Sequence, residues 1–302
     1  MSNNNSSLHA GGTGLAETAR ILEGRSLAKE KRIELKAAVA EFAEKTGFPP
    51  GLAITLIGDD PSSIAYTRTL IKTATDLGFK AIQHALPGAL SLDEFRAEIT
   101  KLNNDPTIHG ITVQWPTPPH ITFEEVVNVL DPRKDVDGYN PMLLGRLYEQ
   151  LDTFVPATPL GGMRLVEHYG YNVRGKACLL IGHGVTVGRP LLALLLAEHA
   201  SLMVVDQSTP RELFRQYASQ ADFIFCAAGA PGIVTGDMVK PGVVIIDFGT
   251  SEIGEKLVGD ADFESLLPVA AAITPTPGGT GPMTNVTLLG NVLKAARQQT
   301  GL

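Results

Sequence analysis

Cysteine is scarce: two in 302 residues. Such a count excludes a disulfide framework. Cys178 and Cys226 each sit inside an apolar run of strand character, so they read as buried thiols. The seven histidines are scattered and no Cys/His cluster has ligand spacing, which argues against a metal site. A block of basic residues is also lacking. With 25 Lys and Arg against 32 Asp and Glu, the formal net charge is -7, which argues against nucleic acid as a partner. There is no run of about 18 apolar residues, so no membrane-spanning helix is expected. The start, MSNNNSSLHAGGTG, is polar and carries no secretory apolar centre. It reads as a disordered tail, and the cytoplasm is the expected location.

What is present is a regular alternation. Hydrophobic residues make up 44% of the chain and charged residues 19%, the balance of a globular enzyme. Strand-like runs at LAITLI (52–57), KAIQHAL (80–86) and HGITVQW (109–115) alternate with helical patterns. The latter include 22–47, 62–78, SLDEFRAEITKLNND, ITFEEVVNVLD and PMLLGRLYEQL. Ser91 and Glu94 form a capping box. Asp60 and Pro61 suit a helix start, and Tyr66, Leu70, Ala74 and Leu77 then share one helix face. A second array follows Pro156. Thr158 and Pro159 read as N-cap and first turn before LGGMRLVEHYG, and KACLLIG, SLMVVD, FIFCAA and GVVIIDFG read as strands. RPLLALLLAEHA and NVTLLGNVLKAARQQ read as helices, joined through the Pro/Gly-rich connector AAITPTPGGTGPM. The expected fold is α/β with parallel sheets and right-handed crossovers. It has two domains, 15–157 and 158–282, with a final helix over 283–302 packing back on the first.

Between KACLLIG and the next helix lies GHGVTVG. Gly182, Gly184 and Gly188 let backbone N–H groups and a helix N-terminus approach a pyrophosphate. Alone the motif is weak, and a tight turn with no ligand is the competing reading. The next strand ends in Asp206, where a carboxylate can accept from the ribose 2′-OH of NAD and would repel the 2′-phosphate of NADP. The bare chemistry therefore points to a dinucleotide, with NAD ahead of NADP.

Several long motifs resemble one family: GITVQWPTPPHI (110–121), PRKDVDGYNP (132–141), LLGRL (143–147), VPATP (155–159), VGRP (187–190), LVGDADF (257–263) and TPTPGGTGPMT (274–284). In order, over residues 20 to 298, they resemble the methylenetetrahydrofolate dehydrogenase/cyclohydrolase family, the bifunctional bacterial type. The resemblance implies an α/β folate domain and a Rossmann-like dinucleotide-binding domain with a cleft between them. It implies hydride transfer from 5,10-methylenetetrahydrofolate to a nicotinamide, then hydrolysis of the methenyl product, and a homodimer. By position it places Tyr66 on the aminobenzoyl ring, Gln114 by the reacting carbon and Asp137 on the pterin amino edge. Pro277, Gly278 and Gly279 would line the cleft. A carboxylate suits a pterin because it accepts two coplanar N–H bonds.

The chain departs from the family pattern Ser-x-x-Tyr-x-x-x-Lys. Ser63 and Tyr66 fit, but Leu70 stands in the lysine position. A lysine there can move protons during ring opening, and leucine cannot. In the cofactor domain Gly182-His183-Gly184 replaces Gly-Arg-Ser, and Asp206-Gln207 replaces His-Ser. The groups that serve a 2′-phosphate are absent and an acid has appeared. The expectation is an NAD-dependent methylenetetrahydrofolate dehydrogenase with weak or absent cyclohydrolase. Three alternatives stay open: a fully bifunctional NADP-dependent enzyme, a non-catalytic folate- or dinucleotide-binding protein, and an enzyme of another reduced pterin or one-carbon carrier.

Overall fold

A computed structural model describes residues 18–254 and 256–302. The polar start read as a tail, and the first residues of the expected 15–157 domain, lie outside the described residues. The described chain opens on a short strand β1 (Arg20–Ile21) and a long helix α1 (Arg25–Thr46), ended by Gly47 in the left-handed conformation. There follow β2 (Gly51–Ile57), α2 (Pro61–Asp76), β3 (Lys80–Leu86), α3 (Leu92–Asn104), β4 (Gly110–Val113), α4 (Phe123–Val129) and α5 (Pro141–Tyr148). Strands pair in parallel in the order β3-β2-β4. All seven residues of β2 are buried, as expected of a central parallel strand covered on both faces. Ile54 and Leu70 belong to the core on one face, and Ala53, Phe95 and Ile111 to the core on the other.

The second array comprises α6 (Ala157–His168), β5 (Ala177–Ile181), α7 (Gly188–Ala197), β6 (Ser201–Val205), α8 (Arg211–Gln220), β7 (Phe223–Cys226) and β8 (Val244–Asp247). The chain continues with a hairpin of β9 (Ser251–Ile253) and β10 (Lys256–Val258), then α9 (Phe263–Leu266), β11 (Ala272–Ile273) and α10 (Gly281–Thr300). Six parallel strands run in the order β1-β11-β8-β7-β5-β6. Both cysteines are buried and free, in β5 and β7.

Local signals explain most helix starts. The Asp60 carboxylate accepts from the Ser63 N–H and hydroxyl, each at 2.8 Å, with Pro61 in the first turn of α2. The Ser91/Glu94 capping box opens α3. The expected cap at Thr158 is corrected: α6 begins at Ala157 after an extended Pro156, so Thr158 lies inside the first turn. Its hydroxyl meets that of Thr284 at 3.3 Å. The final helix starts at Gly281, earlier than the 283 expected, because Pro282 is accommodated in its first turn.

Residues far apart in sequence share one core on each of the two sheets. Strand β1 pairs with β11 at the edge of the six-stranded sheet, so the N-terminal segment belongs to the sheet of the second array. Helix α1 places Leu27 and Ala28 in the core of that sheet and Val39 and Phe42 in the other. Helix α10 divides likewise, with Met283 and Val286 in one core and Leu289, Val292 and Ala296 in the other. Two helices thus span both units, and the C-terminal helix packs on more than the first.

Candidate active site

A cavity of about 340 Å³ opens where α2, β4, the 135–140 loop, α6 and α10 meet. Helix α2 brings Ser63 and Tyr66, and β4 with its continuation brings Thr112, Gln114 and Trp115. The loop brings Asp137 and Tyr139. Tyr66, Gln114 and Asp137, singled out in the sequence, therefore line one cavity. Ser63 ties α2 to the segment after β4: its hydroxyl also lies 2.8 Å from the Trp115 carbonyl. The Thr112 hydroxyl donates to Asp137 Oδ2 at 2.7 Å, and Gln114 Nε2 donates to the Thr112 oxygen at 3.3 Å.

The carboxyls here are desolvated. Burial, and then the neighbouring Asp135, push the Asp137 carboxyl up to about 7 against the Thr112 hydrogen bond. Burial pushes Asp135 up to about 6, although the backbone N–H groups of Gly138 and Asn140 donate to it at 3.0 and 2.7 Å. Burial, and then Asp137, raise the Tyr66 phenol, so it stays a neutral donor. Burial likewise raises Asp247, at the end of β8, to about 6.

These shifts set a pH dependence of stability. All three carboxyls bind protons more tightly folded than at their ordinary value of 3.8. Between about pH 4 and pH 7 the folded chain therefore holds more protons than the unfolded chain, and stability falls as pH rises through that window. His109, held neutral by burial, opposes this as one group against three. Carboxyls held low, such as Asp60 and Asp131, lose their contribution only below about pH 4. The ligand-free thermal midpoint is expected to be higher near pH 5.5 than near pH 7.5 by calorimetry. A midpoint that falls on that acidification contradicts the assignment.

The glycine turn lies at the C-terminal end of β5. Gly182 has φ +87°, and a Cβ there would lie 2.4 Å from the Ala227 carbonyl oxygen. A Cβ at Gly188, the first residue of α7, would lie 2.3 Å from the Gly182 oxygen. These contacts keep strand and helix close enough for a phosphate-sized group to meet backbone N–H groups, while Gly184 has open space beside it. His183 Nε2 lies 3.1 Å from Asp206 Oδ2, at the end of the neighbouring β6. Asp206 Oδ1 accepts from the Ser208 N–H at 2.9 Å and hydroxyl at 2.6 Å. Those bonds, then His183, hold the Asp206 carboxyl below its usual range. Gln207 beside it is exposed. The residues present fit a dinucleotide: a strand-to-helix turn whose close backbone approach at Gly182 and Gly188 admits no side chain, open space beside Gly184, and an ionised acceptor at the adjacent strand end.

Not every residue singled out in the sequence reaches the cavity. Leu70 is 0% exposed and packs with Val39, Phe42 and Ile54 in the core, with Tyr66 against the same cluster. It lies behind the cavity wall. Pro277, Gly278 and Gly279 are not on that wall either. The Gly278 carbonyl accepts from the Gly24 N–H at 2.9 Å, which ties the connector to the start of α1. Thr112, Trp115 and Tyr139 are wall residues to which the sequence analysis gave no role. The period-two alternation of a strand puts Thr112 on the same side as Gln114, a signal that was there to be read. Among the described residues no group of His, Cys, Asp or Glu could hold a metal ion, and no helix is long and apolar enough to cross a membrane.

A parallel sheet bearing such a turn, joined through two shared helices to a second α/β unit with an acid-floored cavity, defines a two-part α/β oxidoreductase of the nicotinamide-dinucleotide class. Comparison with known proteins narrows this. Residues 22–137 match the catalytic domain, and residues 156–300 the NAD(P)-binding domain, of tetrahydrofolate dehydrogenase/cyclohydrolase. The chain belongs to that family. It is 44% identical over 291 residues to the bifunctional protein FolD of Dichelobacter nodosus, covering 94% of this chain and 99% of the relative. It is 40% identical over 280 residues to that of Nitratiruptor sp., covering 93% and 99%. The solved FolD methylenetetrahydrofolate dehydrogenase/cyclohydrolase of Campylobacter jejuni superposes with a TM-score of 0.90 at 37% identity, covering 93% of this chain and 99% of that one. That of Trypanosoma brucei, complexed with NADP and an inhibitor, gives 0.90 at 33%, covering 94% and 99%.

Proposed function

We propose that this chain is an NAD-dependent 5,10-methylenetetrahydrofolate dehydrogenase that performs little or no hydrolysis of its methenyl product. The observation that carries the reading is the ionisable inventory of the cavity: Tyr66, Asp137 and Tyr139, with no lysine, and Leu70 sealed in the core behind Tyr66. The pterin sits with its amino edge on Asp137, the aminobenzoyl ring on Tyr66 and the one-carbon bridge by Gln114. Gly182, Gly184, Gly188 and Asp206 would hold the dinucleotide, which would supply the hydride acceptor. The protein's own share is alignment: hydride transfer between held partners needs position above all, and Tyr66, Asp137 and the cavity walls supply it. Ring opening by water needs a group free to give and take protons: a tyrosine with a raised pKa does this poorly near neutral pH, and Asp137, though its carboxyl is raised to about 7, is occupied by the pterin amino edge. Asp206 favours NAD, since its ionised carboxylate meets the 2′-hydroxyl and repels a 2′-phosphate.

Residues 15–157 act as the folate unit, with the residues of the C-terminal helix from 283 packing back on it, and residues 158–282 as the dinucleotide unit, in a homodimer. The test is a pair of reactions of methylenetetrahydrofolate, with NAD or with NADP, following reduced nicotinamide and methenyl product together. Methenyl product that forms with NAD and persists is expected. Comparable turnover with NADP would overturn the Asp206 argument and favour the NADP-dependent alternative. Methenyl product that decays faster than it does without protein would restore the cyclohydrolase. Binding without turnover would leave a binding protein, and neither binding nor turnover a different carrier.

A further inference from the structure

Thr112 touches both of the polar groups placed on the substrate, and no role has been assigned to it. It is 2% exposed, at the third position of β4, and its hydroxyl has a single hydrogen. That hydrogen is spent on Asp137 Oδ2 at 2.7 Å. Toward Gln114, 3.3 Å away, the same oxygen can therefore only accept, so the amide atom facing it is Nε2. The amide oxygen of Gln114 is then turned from Thr112. Among the described residues it accepts no hydrogen bond, and it is not one of the sealed unpartnered atoms, so it opens to the cavity that Gln114 lines.

We propose that Thr112 is a positioning residue for the hydride-transfer step: its hydroxyl holds Asp137 as an acceptor and, through the direction of that bond, aims the Gln114 carbonyl at the one-carbon bridge. This rests on the folate reading of the same cavity. Loss of hydride from the bridge leaves a cation delocalised between two nitrogens. A fixed amide carbonyl pointed at that carbon stabilises the charge as it develops and needs no proton transfer. An amide turned the other way would present N–H groups to a cation and oppose the step. Two functions are thereby tied to one hydroxyl. An ionised Asp137 reads the pterin N–H groups and keeps the Thr112 hydrogen. A protonated Asp137 no longer requires that hydrogen, so the amide is free to turn. The titratable groups facing Asp137 are Asp135 and Tyr139 on its own loop and Tyr66 on α2. The other elements lining the cavity, β4, α6 and α10, bring only uncharged side chains to it.

The test compares the native chain with Thr112→Val and Thr112→Ser. Valine keeps the branched shape that suits a strand and removes only the hydroxyl. Tetrahydrofolate binding is read from the fluorescence of Trp115, the one tryptophan, which lines the cavity. Turnover is read with methylenetetrahydrofolate and NAD across pH. Without a hydrogen bond to the charged carboxylate, Thr112→Val is expected to bind tetrahydrofolate about tenfold more weakly near pH 7. The acid limb of binding moves to higher pH, because the lost bond favoured the ionised form. The kcat falls about tenfold or more while the KM for NAD stays put. Thr112→Ser restores both. A Thr112→Val protein with native kcat and pH profile overturns the proposal, as does one that Thr112→Ser fails to rescue. Native protein that binds no tetrahydrofolate would instead overturn the folate reading on which the proposal rests.

Discussion

Asp137→Asn is expected to bind tetrahydrofolate about a hundredfold more weakly than the native chain, and to melt at a higher temperature near pH 7.5. Both effects come from one carboxylate. A pterin edge offers two N–H donors, and an ionised carboxylate accepts both, each charge-assisted bond being worth about 1.5–3 kcal/mol. Asparagine offers one acceptor and turns an N–H toward a donor, so one bond is lost and one repulsion gained. The same carboxylate is costly in the free protein. Burial and Asp135 raise it to about 7, so at neutral pH the fold carries a desolvated, half-compensated charge. Removing the charge relieves that cost and leaves Thr112 a partner in the asparagine oxygen. A site built for binding is here expected to be a local loss for stability. Titration of Trp115 fluorescence and a calorimetric scan read the two effects separately. Native-like tetrahydrofolate affinity in Asp137→Asn would remove Asp137 from the substrate site.

The second large effect is a gain. Leu70→Lys is expected to raise hydrolysis of methenyltetrahydrofolate by about a hundredfold or more over the native chain, within the 10²–10⁴ typical of a positioned proton-transfer group. Helical side chains lean toward the N-terminus, so a lysine at 70 is aimed at the turn that carries Tyr66 and the cavity. The cost falls on stability. Leu70 is fully buried among Val39, Phe42 and Ile54, and an ammonium in that position loses its water. The variant is expected to melt at a lower temperature, with the new lysine titrating below its ordinary range. Leu70→Met, which fills similar volume without an amine, is expected to gain nothing. If Leu70→Lys folds and retains dehydrogenase turnover yet hydrolyses no faster than Leu70→Met, position 70 alone does not govern the second activity.

The two arguments differ in how far sequence could carry them. Asp137 was singled out through the resemblance carried by the block PRKDVDGYNP, and the structure brings it to the same cavity as Tyr66 and Gln114. Leu70 was legible as a departure from a pattern, but its surroundings were not. One helical stripe puts Tyr66, Leu70 and Ala74 on a single face, and periodicity cannot say where along that face the cavity stops and the core begins. The structure draws that line between Tyr66 and Leu70. Thr158 was misread as a cap because a Thr-Pro pair is a good local signal, and the extended Pro156 starts the helix earlier. Helix α8 was overlooked although its apolar period was there: Leu213, Phe214, Tyr217 and Ala218 recur at helical spacing, and Phe214 and Tyr217 pack against the core. Strands β1 and β11 are two residues each, too short for any pattern. They exist because each completes the other's hydrogen bonds across a gap of some 250 residues.

The sequence by itself determined the alternation of strands and helices, the parallel sheets, the glycine turn followed by an acid, and the absence of lysine at position 70. Each is written in local periodicity or in a short block whose chemistry is carried by adjacent residues. Tertiary structure alone decided that α1 and α10 serve both cores, that the connector at 277–279 is tied to α1, and that Thr112 links Asp137 to Gln114. These depend on which faces meet when separated segments pack, and a hydroxyl's single hydrogen has no direction until both of its neighbours are in place.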